Sequence, residues 1–191
     1  WFEYLDVLER VSGRDMKKLF TEWVLPRKFT ANYNQWLLIQ NDFREMESLV
    51  AKSRGSYGIQ IVEKENQAAA GLIVKGDFSG AQNQLQAAKK LYAQWQAASK
   101  IYLDAEKTVL TSGDRSGIGL VENALKSTRD HLIAGRYELV SAGVDSALKL
   151  YGQWQNAERL YREADRRISQ SNEAPGIGSV NEELKAAREL L

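Results

Sequence analysis

One sequence pattern occurs three times at a spacing of 59 residues, and this repeat limits the fold more than any other feature. Every copy carries a Gln-Trp pair in the same register, and the three tryptophans are Trp36, Trp95 and Trp154. A fixed period with one tryptophan in each copy is typical of repeat proteins, in which each unit buries its apolar face against its neighbours. The repeat therefore predicts that function depends on the shape and surface of the protein more than on catalytic chemistry.

The repeat divides the chain into a leading segment, 1–28, and a repeat region, 29–191, with copies at 33–91, 92–150 and a truncated 151–191. Each copy contains a Gly-Ile pair, and the first two also contain a Gly-x-aromatic turn. The glycines of these turns are Gly58, Gly117 and Gly176, then Gly76 and Gly135. The third copy stops before its second turn, and the chain opens without methionine. We therefore expect a segment of a longer protein.

The composition predicts helix almost throughout, because the chain has only two prolines and is rich in strong helix formers. A net charge of +1 provides no attraction to nucleic acid or to an anionic membrane. No apolar run approaches the length of a membrane span. Cysteine is absent, so disulfides are excluded. We expect neither a nucleic-acid partner nor membrane insertion.

Apolar residues recur at alternating spacings of three and four after the start of each copy, a heptad pattern typical of helices in left-handed bundles. The large residues on this seam are the predicted core: Trp36, Phe43, Trp95, Tyr102, Trp154 and Tyr161. A second, shorter seam follows each Gly-Ile pair; in the third copy it includes Ile177, Val180 and Leu184. Glycine at a helix C-cap is the expected role of the Gly-Ile pair.

The joints between copies decide the predicted architecture. From Tyr137 the seam continues to Ile168 without a proline, which predicts a helix of ~35 residues and ~50 Å. Short helices of ~17 residues would alternate with it. The spacing breaks once at Trp154, and such a stammer turns the seam toward a new partner. We predict an all-α fold of tandem short three-helix bundles with spectrin-like connectivity, forming an elongated rod.

Two other architectures stay open. The turns at Gly76-Asp77-Phe78 and Gly135-Arg136-Tyr137 resemble the helix start of tetratricopeptide units, which stack into a curved solenoid. That family has a period of about 34 residues, which fits the present spacing poorly. A compact bundle is the third possibility.

The leading segment has a different pattern. Ser12 has the residue type of a helix N-cap, and Asp15 would then favour the positive end of the helix dipole. Leu19, Phe20 and Trp23 would form the buried face. This Ser-Gly-x-Asp start, followed by a helix that ends in Phe-x-x-Trp, resembles the end of the catalytic domain in gluzincin metallopeptidases, the aminopeptidase N-like family. An ordinary capped amphipathic helix explains the same residues.

The resemblance implies a zinc site in the parent protein, and no cofactor in this segment. That site needs histidines and glutamates on a helix, whereas this chain has a single histidine, His131, and no His-Glu-x-x-His motif. No catalytic, cofactor-binding or metal-binding residue is therefore assigned. The resemblance also implies a secreted or cell-surface location, with the upstream peptidase-like domain or another protein as partner.

Other patterns favour structural roles. A lone helical histidine is usually a residue at a packing edge. Gly117-Ile118-Gly119 lacks the lysine and the preceding strand of a phosphate loop. Glu163 and Asp165 lie in a run of mixed charge that is typical of a solvated helix surface.

Two hypotheses of function follow. In the first, the chain is a non-catalytic spacer or protein-interaction rod that follows a metallopeptidase-like domain. In the second, it is the C-terminal helical domain of a zinc aminopeptidase-like enzyme and restricts access to the active-site cleft. The second requires a concave surface, and long uninterrupted helices favour the first.

Overall fold

The computed structural model describes residues 2–16, 18, 27–111, 117–170 and 176–189, with the backbone alone at 2, 3, 27–32 and 187–189. All regular structure in these ranges is helical, which confirms the predicted all-α class. The α-helices are α1 Phe2–Ser12, α2 Arg27–Lys52, α3 Ile59–Val74, α4 Phe78–Leu110, α5 Gly119–Ile133, α6 Val140–Gln170 and α7 Ile177–Glu189. Among the helices of the described ranges, none is both long enough and apolar enough to cross a membrane.

Long and short helices alternate along the repeat region. Helices α4 and α6 have 33 and 31 residues, whereas α3, α5 and α7 have 16, 15 and 13. The start of α6 differs from the prediction, because Tyr137–Leu139 forms a turn of 3-10 helix before the α-helix begins. Tighter 3-10 turns are common at helix ends. This one leaves the Tyr137 side chain 7% exposed.

The chain forms two units, Trp1–Tyr92 and Ala93–Leu191, so the division falls inside α4. In the first unit, the apolar seams of α2, α3 and the start of α4 make the core. Its buried apolar residues include Tyr33, Trp36, Ile39, Met46, Val50, Ile59, Val62, Ala69, Ile73, Ala81, Leu85 and Ala88. Full burial of a valine, leucine, isoleucine or methionine side chain contributes about 1.5–3 kcal/mol.

Polar contacts bind the start of α4 to α2 and to the residue that follows α2. Lys89 on α4 lies 2.9 Å from Asp42 and 3.5 Å from Glu45, both on α2. The hydroxyls of Tyr92 and Ser53 share a hydrogen bond of 3.3 Å. Hydrogen bonding to Asp42 raises the pKa of Lys89 above its ordinary value. Such partly exposed pairs each contribute ~0–1 kcal/mol, so they fix the helix register more than they stabilise the fold.

Helix α6 organises the second unit by contacting both α5 and α7. Its first half approaches α5 closely: a Cβ built on Gly143 would lie 2.5 Å from Oγ1 of Thr128. Thr128 is 1% exposed, and its hydroxyl donates to the Ala124 carbonyl at 2.8 Å. The glycine therefore permits the two helices to pack at a distance that a larger residue would prevent.

The Gly-x-aromatic turns close the short helices. Gly76 has a φ of 77°, its amide donates to the Ile73 carbonyl at 3.0 Å, and the Asp77 amide donates to the Leu72 carbonyl at 3.0 Å. This pair of bonds is a Schellman motif, in which the left-handed residue favours glycine. Gly135, with a φ of 74°, ends α5 in the same way.

The glycines of the Gly-Ile pairs lie at the opposite end of a helix from the one expected. Gly58, with a φ of 78°, is the N-cap residue of α3. Gly117 and Gly176 also have positive φ and lie just before α5 and α7. The expected C-cap role is therefore wrong, because these glycines open the short helices and do not close the long ones.

The leading segment also departs from the prediction at Ser12. This residue is the last of α1, and its hydroxyl donates to the Leu8 carbonyl at 2.5 Å. Gly13 follows with a φ of 63°, and the Asp15 carboxylate then accepts the Lys18 amide at 2.8 Å. Asp15 is thus the capping residue, since its carboxylate satisfies an amide of the next helical turn. The predicted buried face at Leu19, Phe20 and Trp23 lies outside the described residues.

Candidate functional site

The repeated tryptophans point into the helical units. Trp36, Trp95 and Trp154 are 4%, 5% and 8% exposed. Trp36 and Trp154 each stack on the tyrosine three residues before them, with ring centroids 5.7 Å apart for Tyr33 and Trp36 and 5.8 Å for Tyr151 and Trp154. The ring faces that an aromatic binding ladder would present to a ligand are therefore covered by packing.

The other predicted core residues differ between copies. Tyr102 is 1% exposed, whereas Phe43 and Tyr161 are half-buried. The predicted seam of α7 is wrong at Val180, which is 49% exposed. Burial therefore follows which helices cover a copy, and the spacing of apolar residues alone does not set it.

The single histidine lies at the edge of the second unit. His131 is half-buried on α5, and its Nδ1 is buried without a hydrogen-bond partner among the described residues. Its backbone carbonyl accepts the Arg136 amide in the turn that closes the helix. Across the ranges that the structure describes, His, Asp and Glu side chains form no group of three that could hold a metal ion.

Sequence reasoning missed a buried carboxylate on α6. Glu158 is 6% exposed, and its Oε1 accepts a hydrogen bond from Nε of Arg162 at 2.7 Å. The corresponding residues of the other copies are Gln40 and Ser99, so this position is polar in all three. That regularity was the available signal. The Arg162 side chain is 59% exposed, so this ion pair contributes only ~0–1 kcal/mol to stability, and the same contact holds the Glu158 side chain in one orientation.

A second buried polar group lies on α3. Asn66 is 5% exposed, and its Oδ1 has no hydrogen-bond partner among the described residues. The corresponding residues of the later copies are Leu125 and Leu184. A buried amide oxygen without a partner costs about 1–3 kcal/mol, so the first copy carries a local weakness that the others lack.

One groove of the second unit is lined by charged side chains. It lies between α4 and α5, has a volume of ≈ 210 Å³ and is lined in part by Glu122, Lys126 and Arg129. At its wall the Tyr102 hydroxyl donates to the Glu106 carboxylate at 2.7 Å. Acidic and basic groups are balanced there, so the groove has no strong preference for an anion or a cation.

A second groove is mainly apolar. It lies between the start of α5 and the middle of α6 and has a volume of ≈ 200 Å³. Leu120, Val121, Leu150 and Trp154 contribute to its walls, and Leu120 is 65% exposed. Exposed apolar side chains beside a groove are typical of surfaces that contact other proteins.

Comparisons of the chain with protein-family models, with curated proteins and with solved structures find no match. The three copies of the repeat therefore provide the best internal comparison. Residues that recur in the copies lie mostly in the core or in glycine turns, whereas Asn66, Leu160 and Val180 differ in type or exposure from their counterparts.

Proposed function

We propose that this chain is a non-catalytic helical repeat segment that acts as a spacer or protein-interaction rod, C-terminal to a metallopeptidase-like domain. The observation that carries the proposal is the continuity of α4. This helix runs without interruption over 33 residues, from Phe78 to Leu110. At 1.5 Å per residue its length is about 50 Å.

The distribution of buried residues along α4 supports a spacer role. Ala81, Leu85 and Ala88 are buried on its first half, and Trp95 and Tyr102 are buried on its second half. One continuous helix thus contributes core residues to two successive copies. Such a helix resists bending more than two helices joined by a loop, because no break in its hydrogen bonding separates the halves.

The attached peptidase-like domain is the part of the proposal that depends on the leading segment. The residues of the Ser-Gly-x-Asp pattern carry it, although Asp15 and not Ser12 caps the helical turn there. In this arrangement the zinc chemistry would belong to the upstream domain, and the repeat region would hold that domain away from a surface or present a partner.

Small-angle X-ray scattering at several concentrations tests the spacer role. A compact particle of this length would have a radius of gyration of ~16 Å, and we expect a clearly larger value that does not change with concentration. Ala93→Pro, at an exposed position inside α4, should shorten the particle or broaden its range of shapes, because proline breaks a helix interior. Ala93→Ser is the matched control and should leave the scattering unchanged.

A compact particle would contradict the spacer proposal. The same result would favour the other hypothesis, in which the helical domain curves over the cleft of an upstream peptidase. Helix content from circular dichroism distinguishes a shape change in Ala93→Pro from global unfolding.

A further inference from the structure

The short helix of each copy has a valine at the same position, and this valine is covered in only two copies. Val62 and Val121 are 0% and 1% exposed, whereas Val180 on α7 is 49% exposed. On the adjoining seam of α6, Ala164 is half-buried, whereas its counterparts Met46 and Ala105 are 1% and 3% exposed. Tyr161 is half-buried as Phe43 is in the first copy, and only Tyr102 of the second copy is fully covered at that position.

We call the less covered surface of the third copy the docking face. It consists of Leu160, Tyr161, Ala164, Val180 and Leu184. Leu160 is 51% exposed. Among the described residues, none buries Ala164, Val180 and Leu184 to the extent found for their counterparts in the first two copies.

The first copy shows what covers the equivalent surface there. The start of α4 lies against α2, where Lys89 pairs with Asp42 at 2.9 Å and Tyr92 shares a hydrogen bond with Ser53. Ala81 and Leu85 on the same stretch are 0% and 1% exposed. The cover is thus the first half of the next long helix.

The second copy is covered in the same way. The first half of α6 places Gly143 against Thr128 of α5. Leu150 and Trp154 of α6 line the apolar groove together with Val121, the counterpart of Val180. In the first and second copies alike, the first half of the next long helix therefore covers the surface that corresponds to the docking face.

We propose that the docking face binds the first half of a further long helix of this repeat type, presented with the connectivity that α4 and α6 have. Such a helix has an aromatic residue at its first and fifteenth positions and apolar residues at the fourth, eighth and eleventh. In the chain these are Phe78, Ala81, Leu85, Ala88 and Tyr92, and again Tyr137, Val140, Val144, Ala147 and Tyr151.

The twelfth position distinguishes between the two available types of helix. Lys89 holds it in α4 and pairs with Asp42, whereas Leu148 holds it in α6, where the counterpart of Asp42 is Ile101. The third copy has Leu160 at that place. The docking face therefore matches a helix of the α6 type, with an apolar twelfth residue, because Leu160 offers no charge to a lysine.

An extended chain tests the proposal directly. Leu191 corresponds to Leu132, so residues 133–157 repeated after Leu191 place a second α6-type helix in register with the third copy. We expect amide exchange in α7 to slow by about tenfold or more, since a covered helix opens less often. The matched control has the same length, with glutamine at the positions that copy Val140, Val144 and Ala147. Exchange in α5 reports whether the second copy is folded in all variants.

Equal exchange of α7 in the extended chain and its control would overturn the proposal. It would also be overturned if exchange of α7 in the original chain slowed with protein concentration and Val180→Arg abolished that effect, because the occupant would then be a second molecule. Replacement of the copied Leu148 by lysine in the extended chain should make amide exchange in α7 faster again in part. The inference deepens the proposed interaction role and rests on it. A negative exchange result would contradict the docking face and would not change the scattering result. A compact particle in scattering would contradict the spacer role and would leave the exchange result as it is.

Discussion

Alanine at position 143 should loosen the contact between α6 and α5. A Cβ there would lie 2.5 Å from Oγ1 of Thr128, 3.1 Å from its Cγ2 and 3.2 Å from its Cβ. All three atoms belong to one side chain that branches at Cβ, so rotation of the threonine exchanges one close contact for another. The helices must separate or distort to admit the methyl group.

Two opposing effects set the size of the change. Replacement of a helical glycine by alanine stabilises a helix by about 0.8–1 kcal/mol, and overpacking of a tight contact costs about 1–3 kcal/mol. We therefore expect Gly143→Ala to lower the free energy of unfolding by up to ~2 kcal/mol. Thr128→Ala removes Oγ1 and Cγ2, the two nearest atoms. The double variant should thus recover ~1–3 kcal/mol relative to the sum of the single changes.

Amide exchange along α6, together with urea denaturation followed by circular dichroism, measures this effect. Gly152→Ala is the matched control, because Gly152 lies on the same helix with no atom within 4 Å of its built Cβ. Its counterpart in the second copy is Ala93, so the control should stabilise α6 by ~0.5–1 kcal/mol. If Gly143→Ala stabilises α6 as much as Gly152→Ala does, the close approach of the two helices is wrong.

Two further predictions concern one helix of each unit. Asn66→Leu should raise the free energy of unfolding of the first unit by ~1–3 kcal/mol, because it removes a buried oxygen that has no partner among the described residues. Gln67→Leu, exposed on the same helix, should change it by less than ~0.5 kcal/mol in urea titrations, and equal effects would contradict the assignment. Burial raises the pKa of Tyr137 to about 12, above the ~10 of an unfolded tyrosine. The second unit should keep its full stability below about pH 10 and lose ~2–3 kcal/mol as the pH rises to about 12. Urea titrations across that interval should show no such loss in Tyr137→Phe. If the free energy of unfolding of the original chain falls no more with pH than that of Tyr137→Phe, the role of this group is refuted.

The sequence predicted the helices well because the repeat supplies the same evidence several times. A 3-4 spacing that recurs in three copies identifies a buried seam more securely than one occurrence, and Trp36, Trp95 and Trp154 are all buried. Glycines with positive φ recur at the predicted turns. The position of a glycine relative to a helix end was not predictable, because both ends accept a left-handed residue. Ser12 shows the same ambiguity, since a serine is able to bond backward to a carbonyl or forward to an amide.

The sequence did not predict which faces are covered. Periodicity shows that Val180 belongs to an apolar stripe. Only the three-dimensional arrangement shows that Val180 is 49% exposed. For Glu158 the polar residue at this position in all three copies was the available signal, but it did not indicate burial, because an Arg one turn later also fits a solvated i,i+4 pair. Contacts such as that between Gly143 and Thr128 depend on the distance between two helices, and no local pattern reports that distance.

Paired positions between successive helices vary together along the chain. The pair Asp42 and Lys89 of the first copy, joined at 2.9 Å, corresponds to Ile101 and Leu148 in the second. Each copy therefore keeps one frame of apolar residues and uses different chemistry at the edge of the contact. Exchange of the first halves of α4 and α6 would place a leucine opposite Asp42, so the ion pair would be lost, and a lysine at the position that corresponds to Leu148. The copies are thus not interchangeable, and the edge residues specify which long helix fits beside which preceding long helix.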